Sequence, residues 1–126
     1  MKTYLPNRLA VVGLLFALAI LPASPAAAHT KVDKSVPADG ATLTDAPQRI
    51  ELQFAGKMRL TVIKITRPDT AAAITPQSTL PTTFVTRADI EIPPLESGSY
   101  EVSWVGVGED GHVMNGSFKF HVTTGQ

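Results

Sequence analysis

Apolar and polar residues alternate along most of the chain after residue 48, with the two-residue period of half-buried strands. Arg49 to Phe54 sets Ile50, Leu52 and Phe54 on one face, with Arg49, Glu51 and Gln53 on the other. Gly56 and Lys57 interrupt the pattern, which resumes from Arg59 to Thr66. There Leu60 and Val62 fall out of step with Ile63 and Ile65, which predicts a bulge or a two-sided strand. The clearest strand is Ser99 to Val107, with Tyr100, Val102 and Trp104 facing one way and Gly106 and Gly108 marking its exit. Asn115 to Thr123 closes the chain, with Phe118, Phe120 and Val122 opposite Lys119, His121 and Thr123. Thr82 to Val85 and Asp89 to Ile92 predict two shorter strands, and Pro93-Pro94 ends the second. Pro68 to Pro81, rich in Thr, Ala and Pro, reads as a long loop or a ragged edge. Val36-Pro37-Ala38-Asp39-Gly40 and Glu96-Ser97-Gly98 read as turns, because Pro fixes φ and Gly supplies positive φ. No segment has helical periodicity. Strands punctuated by turns about every ten residues predict an all-β sandwich or barrel with Greek-key connections.

The first 28 residues follow a different rule. Lys2 and Arg8 precede an apolar run from Ala10 to Leu21, then Pro22, Ser24 and Pro25, then small residues at Ala26 and Ala28. This is the pattern of a secretory signal peptide cleaved after Ala28. The run is about a dozen residues, short of the roughly 20 needed to span a bilayer as a helix. The expected mature domain is residues 29–126, and it begins at His29.

Losing Lys2 and Arg8 takes the 11 basic side chains to 9 against 11 acidic ones, a net charge of −2. That near-neutral balance gives no electrostatic reason to expect nucleic acid or an anionic membrane as partner. The chain has no cysteine, which excludes disulfides, thiolate metal sites and cysteine nucleophiles.

Three histidines remain as candidates for chemistry: His29, His112 and His121. His121 falls on the polar face of the last strand and reads as a solvated side chain. His112 lies in Glu109-Asp110-Gly111-His112, and an Asp-Gly turn in a hairpin needs no function of its own. A terminal His29 is likewise ordinary by itself. Together they are less so. Cleavage in front of His29 frees an α-amine beside its own imidazole, and Asp110 and His112 add a carboxylate and a second imidazole. Such an N₃O set suits tetragonal Cu(II), which the Irving–Williams order places above zinc and nickel. Asp-x-His in a locally extended segment would point both side chains the same way.

These residues carry a resemblance. His29 after Ala28, Ser35-Val36-Pro37-Ala38-Asp39-Gly40, Ile50-Glu51-Leu52-Gln53-Phe54, Gly98-Ser99-Tyr100-Glu101-Val102-Ser103-Trp104, Asp110-Gly111-His112 and Gly116-Ser117-Phe118-Lys119-Phe120 occur in that order. The chain resembles the small periplasmic copper-binding proteins of the CopC type over the whole expected mature length. The resemblance implies an immunoglobulin-like β-sandwich or barrel of about seven strands. It implies a single Cu(II) ion bound by His29, Asp110 and His112. It also implies a periplasmic monomer that sequesters copper or passes it to an inner-membrane partner, with no catalysis. Two departures stand out. Many relatives carry an acidic residue shortly after the strand ending at Phe54, where this chain has Gly56. Some relatives bind Cu(I) through a Met-rich loop, whereas Pro68 to Pro81 contains no Met. Met58 and Met114 read as packing residues, so one Cu(II) site and no dedicated Cu(I) site are expected.

Two other readings share these residues. A histidine-brace copper oxidase would need an open position for oxygen and a broad substrate face, and its sign would be peroxide production with polysaccharide cleavage. A metal-free immunoglobulin-like binding module would be favoured by a mature terminus anywhere other than His29.

Overall fold

A computed structural model describes residues 32–123. They form seven strands and, among the described residues, no helix. The order is β1 (Val32–Val36), β2 (Ala41–Leu43), β3 (Arg49–Arg67), β4 (Ala72–Ile74), β5 (Val85–Glu91), β6 (Gly98–Gly108) and β7 (Val113–Val122). The all-β expectation and the strand count both hold. The expected cleavage site and His29 lie outside the described residues.

β3 organises the molecule. Its first half pairs antiparallel with β5 over Arg49–Gln53 and with β1 over Glu51–Phe54. Its second half pairs antiparallel with β6 over Met58–Thr66 and with β4 over Ile65–Arg67. The break expected at Gly56-Lys57 is therefore not a break in the strand. Ala55, Gly56 and Lys57 are exposed, and the register with β5 shifts between Gln53 and Met58. The polar interruption marks where one strand passes from one set of partners to another. The bulge expected near Leu60 is present, as a register shift against β6 between Leu60 and Val62.

β6 continues the sheet into β7, and β2 joins β7 in parallel at Phe120–Val122. Of the two shorter strands expected at Thr82–Val85 and Asp89–Ile92, the first is irregular before Val85, and a single strand, Val85–Glu91, takes in Val85 and most of the second. The loop expected at Pro68–Pro81 holds a three-residue strand, β4, after a turn in which Ala71 has φ 55°. β1 and β2 lie where only turns and irregular chain were expected. The turn between them is real: the Ala41 amide donates to Ala38 O at 3.0 Å, and Gly40 has φ 79°.

The alternating apolar faces meet in one core of Ile50, Leu52, Phe54 and Ile90 with Leu60, Ile65, Tyr100, Val102, Trp104, Phe118, Phe120 and Val122. Phe54 meets Trp104 edge-on at 6.2 Å, joining the first half of β3 to β6, and Tyr100 stacks on Phe120 at 5.4 Å. At the entry to β6 the Tyr100 hydroxyl donates to Glu96 O at 2.6 Å, four residues upstream. That is the tyrosine corner found at the same place in immunoglobulin-like sandwiches.

Candidate metal centre

β6 and β7 form a hairpin whose loop carries two of the expected ligands. The last strand pair is Val107 with Val113. The Gly108 amide donates to His112 O at 3.0 Å, and the Gly111 amide donates to Gly108 O at 2.9 Å. Glu109, Asp110 and Gly111 make a three-residue loop that ends in the left-handed region, with Gly111 at φ 81°. A glycine is suited to that position because a Cβ is disfavoured there.

The loop brings Asp110 and His112 together, as expected, but by a different route. They do not sit on one face of an extended strand. Instead the Asp110 carboxylate folds forward over the turn: Oδ1 accepts the His112 amide at 3.1 Å, and Oδ2 lies 2.9 Å from His112 Nδ1. This Asx-type bond is what short acidic side chains do in turns. It fixes the carboxylate and leaves the imidazole mostly in solvent, with side-chain exposures of 50% for Asp110 and 80% for His112. The result is an oxygen and a nitrogen donor side by side on the hairpin, both exposed to solvent.

Behind the pair is a cavity of about 220 Å³ lined by Gly56, Lys57, Met58, Gly108, Glu109, Asp110 and Met114. Two of its glycines shape it differently. A Cβ on Gly108 would stand 2.7 Å from Asp110 Oδ1, so the carboxylate occupies the room this glycine leaves. A Cβ on Gly56 would meet nothing within 4 Å. Gly56 thus leaves open space beside the site. Lys57 Nζ approaches Glu109 Oε1 at 3.9 Å across the rim, an exposed pair.

Among the described residues no group of three or more His, Cys, Asp or Glu side chains is placed to hold a metal ion. Asp110 and His112 are two donors of the expected set, and His29 lies outside the described residues. His121 is at the other end of β7, half-buried, with Nδ1 3.0 Å from Ser99 Oγ. It is more enclosed than a solvated side chain and is not part of the hairpin. Trp104 is a core residue, as expected. Its indole lies so near Gly116 that an added Cβ would meet the ring at 2.8 Å.

Met58 is buried in the core and Met114 packs against it, as expected of packing residues, and both line the same cavity as Asp110. The signal that could have exposed this is Gly-x-Gly at 106–108, which leaves room for neighbouring side chains on one face of a strand.

The CopC domain profile matches residues 32–123, the whole described region. Copper resistance protein C of Pseudomonas syringae pv. tomato is 34% identical over 120 residues, which cover 86% of this chain and 91% of that protein. Among solved structures, CopC from Methylosinus trichosporium OB3b superposes with a TM-score of 0.63 at 20% identity, covering 78% of this chain and 97% of that one. PcoC, a methionine-rich copper resistance protein from Escherichia coli, superposes with a TM-score of 0.60 at 26% identity, covering 75% and 99%. On the profile match and the identity to a curated relative, this chain belongs to the CopC domain family.

Proposed function

We propose that this protein is exported, is cleaved after Ala28, and in the periplasm binds one Cu(II) ion through His29, Asp110 and His112. Bound copper is then either sequestered or passed to a partner in the inner membrane by ligand exchange, with no chemical transformation. The observation that carries the reading is the contact between Asp110 Oδ2 and His112 Nδ1 at 2.9 Å, which sets an oxygen and a nitrogen donor side by side on one hairpin. The names of the relatives support copper as the cargo, since two of them are copper resistance proteins.

The direction of β1 supports the third ligand. Val32 stands opposite Phe54, two residues before Gly56, and Gly56 lines the cavity with Asp110. β1 therefore begins at the hairpin end of the first half of β3. Three residues span at most about 10 Å, so the reading requires the mature terminus to lie within that reach of the pair. Cleavage is then the step that completes the site: before it the His29 nitrogen is an amide, and after it an amine that can share Cu(II) with its own imidazole. Each ligand must be unprotonated to bind, so acidification releases copper.

The test is intact-mass analysis of the exported protein with and without copper, beside the His112→Ala variant. The expected result is a mass that starts at His29, one copper per chain, and loss of that copper in the variant. A different terminus, or copper retained without His112, would refute the site.

A further inference from the structure

β7 leaves part of one edge unpaired. In its antiparallel pairing with β6, successive residues turn their backbone groups alternately toward β6 and away from it. Lys119 turns away: its amide donates to Asp39 Oδ1 at 3.0 Å, and its carbonyl accepts the Gly40 amide at 2.7 Å. Two and four residues back, Ser117 and Asn115 therefore present their backbone groups on the same edge. β2 covers that edge only at Phe120–Val122. Among the described residues no strand pairs with Asn115 or Ser117 there, and both are exposed.

A cleft of about 360 Å³ separates this edge from β1, which pairs only with β3 among the described strands. Trp104 lies at its floor. Gly116 stands opposite Trp104, and the indole takes the room that this glycine leaves: an added Cβ would meet Cζ2 at 2.8 Å and Nε1 at 3.0 Å. The walls carry acid. Asp33 is the extra residue of the bulge between β1 and β3, and bulges re-aim side chains. Asp39 lines the cleft from the turn between β1 and β2. Neither carboxylate makes an ion pair among the described residues. The lysine on the lining, Lys34, stands opposite Gln53 and so shares the outer face of β3, away from the core.

We propose that this cleft binds an extended peptide segment carrying lysine or arginine, which adds to β7 as a further strand beside Asn115–Ser117, in the line of β2. The two amides and two carbonyls on that edge supply the backbone hydrogen bonds, as in strand addition to an exposed sheet edge. The turn at Asp39–Gly40, already bonded to Lys119, closes one end of the groove and so sets where the segment stops. Asp33 and Asp39 select a basic side chain, and the segment's inward side chains lie over Trp104, where Gly116 adds no bulk. The cleft shares no lining residue with the cavity behind Asp110, so this reading does not depend on copper.

The probe is a terminally blocked hexapeptide of alternating valine and lysine, titrated into the ¹⁵N-labelled full chain. Its controls are the valine–glutamate counterpart and the same valine–lysine peptide N-methylated at every residue, which keeps the charge and cannot donate backbone hydrogen bonds. The expected result is that saturating valine–lysine peptide slows hydrogen exchange at the Asn115 and Ser117 amides at least tenfold. It should also shift the ring N–H signal of Trp104, which is unambiguous because the chain has one Trp. Both control peptides should bind at least tenfold more weakly. So should the valine–lysine peptide to Asp33→Asn/Asp39→Asn, a variant that keeps an oxygen acceptor for the Lys119 amide and is expected to keep the wild-type circular dichroism. If the valine–lysine peptide does not bind, or binds and leaves both amides exchanging as in the free chain, no strand is added at this edge and the proposal is wrong. Equal binding of either control peptide, or wild-type affinity in the folded double variant, would overturn it as well.

Discussion

The two ends of β6 are built on opposite principles. At its start, Arg67 is held by Asp69 at 3.5 Å, by Glu96 at 3.2 Å and by Ser97 O at 3.1 Å. Its guanidinium also lies over the Tyr100 ring at 5.5 Å. The Tyr100 hydroxyl is spent on Glu96 O. Polar groups there bind one another and lock a turn to the core. At the far end, the strand gives up its side chains at Gly106 and Gly108, and the hairpin holds Asp110 and His112 out toward solvent. The first end stabilises the sandwich, and the second holds out the two proposed ligands, exposed side chains that the core does not use. The contrast predicts that stability and copper binding can be damaged separately.

The largest expected effect comes from truncating the closed end. Tyr100 is 1% exposed and stacked on Phe120. Tyr100→Ala should lower unfolding free energy by about 3–5 kcal/mol, as aromatic truncations in cores do. Below its new denaturation midpoint the variant should still take up Cu(II). His112→Ala should do the reverse: stability within about 0.5 kcal/mol of wild type, as for an exposed side chain, with copper binding lost. Urea denaturation beside copper titration checks both. If His112→Ala unfolds the domain, the two ends are not independent.

A smaller effect separates two glycines on the same cavity. Gly108→Ala sets a Cβ against the Asp110 carboxylate and the Met114 methyl. Its expected cost is on the order of tenfold in Cu(II) affinity, about 1.4 kcal/mol. Gly56→Ala projects into open space and should leave affinity unchanged. Equal effects would mean that the Gly108 contact does not orient the carboxylate.

How much of this was legible depended on whether a segment's own residues, or its neighbours, decide its conformation. Tyr100, Val102 and Trp104 announce β6 because a strand buried on one face must alternate. Val32-Asp33-Lys34-Ser35-Val36 has no such face, since none of its residues is fully buried, and it becomes β1 by pairing with β3. Ala41-Thr42-Leu43 is a strand only because β7 offers an edge. At Ala55-Gly56-Lys57 the exposed pattern looked like a gap, whereas partners on either side carry β3 through it. The site shows the same division. Asp110 and His112 were visible as ligand types beside a turn glycine, but the Asx bond that joins them is a property of the folded loop. The placing of Met58 and Met114 was invisible, because it depends on which residues face Gly106 and Gly108 across the sheet. That register follows from a bulge between Leu60 and Val62 whose position the sequence only bracketed.

The smallest expected effect uses pH to sharpen the comparison. Burial pushes the Tyr100 phenol above its ordinary value of 10, against a partial offset from Arg67, because a phenolate would lose water in the core. A folded-state value raised above the unfolded one contributes stability that is fully present below about pH 10. That stability is lost as pH climbs through the raised value. The urea midpoint should therefore fall above pH 10, and Tyr100→Phe, which has no proton to lose, should flatten that fall. The Phe variant starts lower at neutral pH by about 1–3 kcal/mol, because Glu96 O loses a buried donor. It is the slope that discriminates, since only titration of the phenol can remove it. Copper release should fall on the other side of the scale, under acid, where protons compete with copper for the proposed ligands. A Tyr100→Phe variant with wild-type copper release in acid and a flattened alkaline limb would show the two ends of β6 responding separately. An alkaline limb unchanged by the substitution would mean that some other group, and not the tyrosine corner, governs the high-pH limit of the fold.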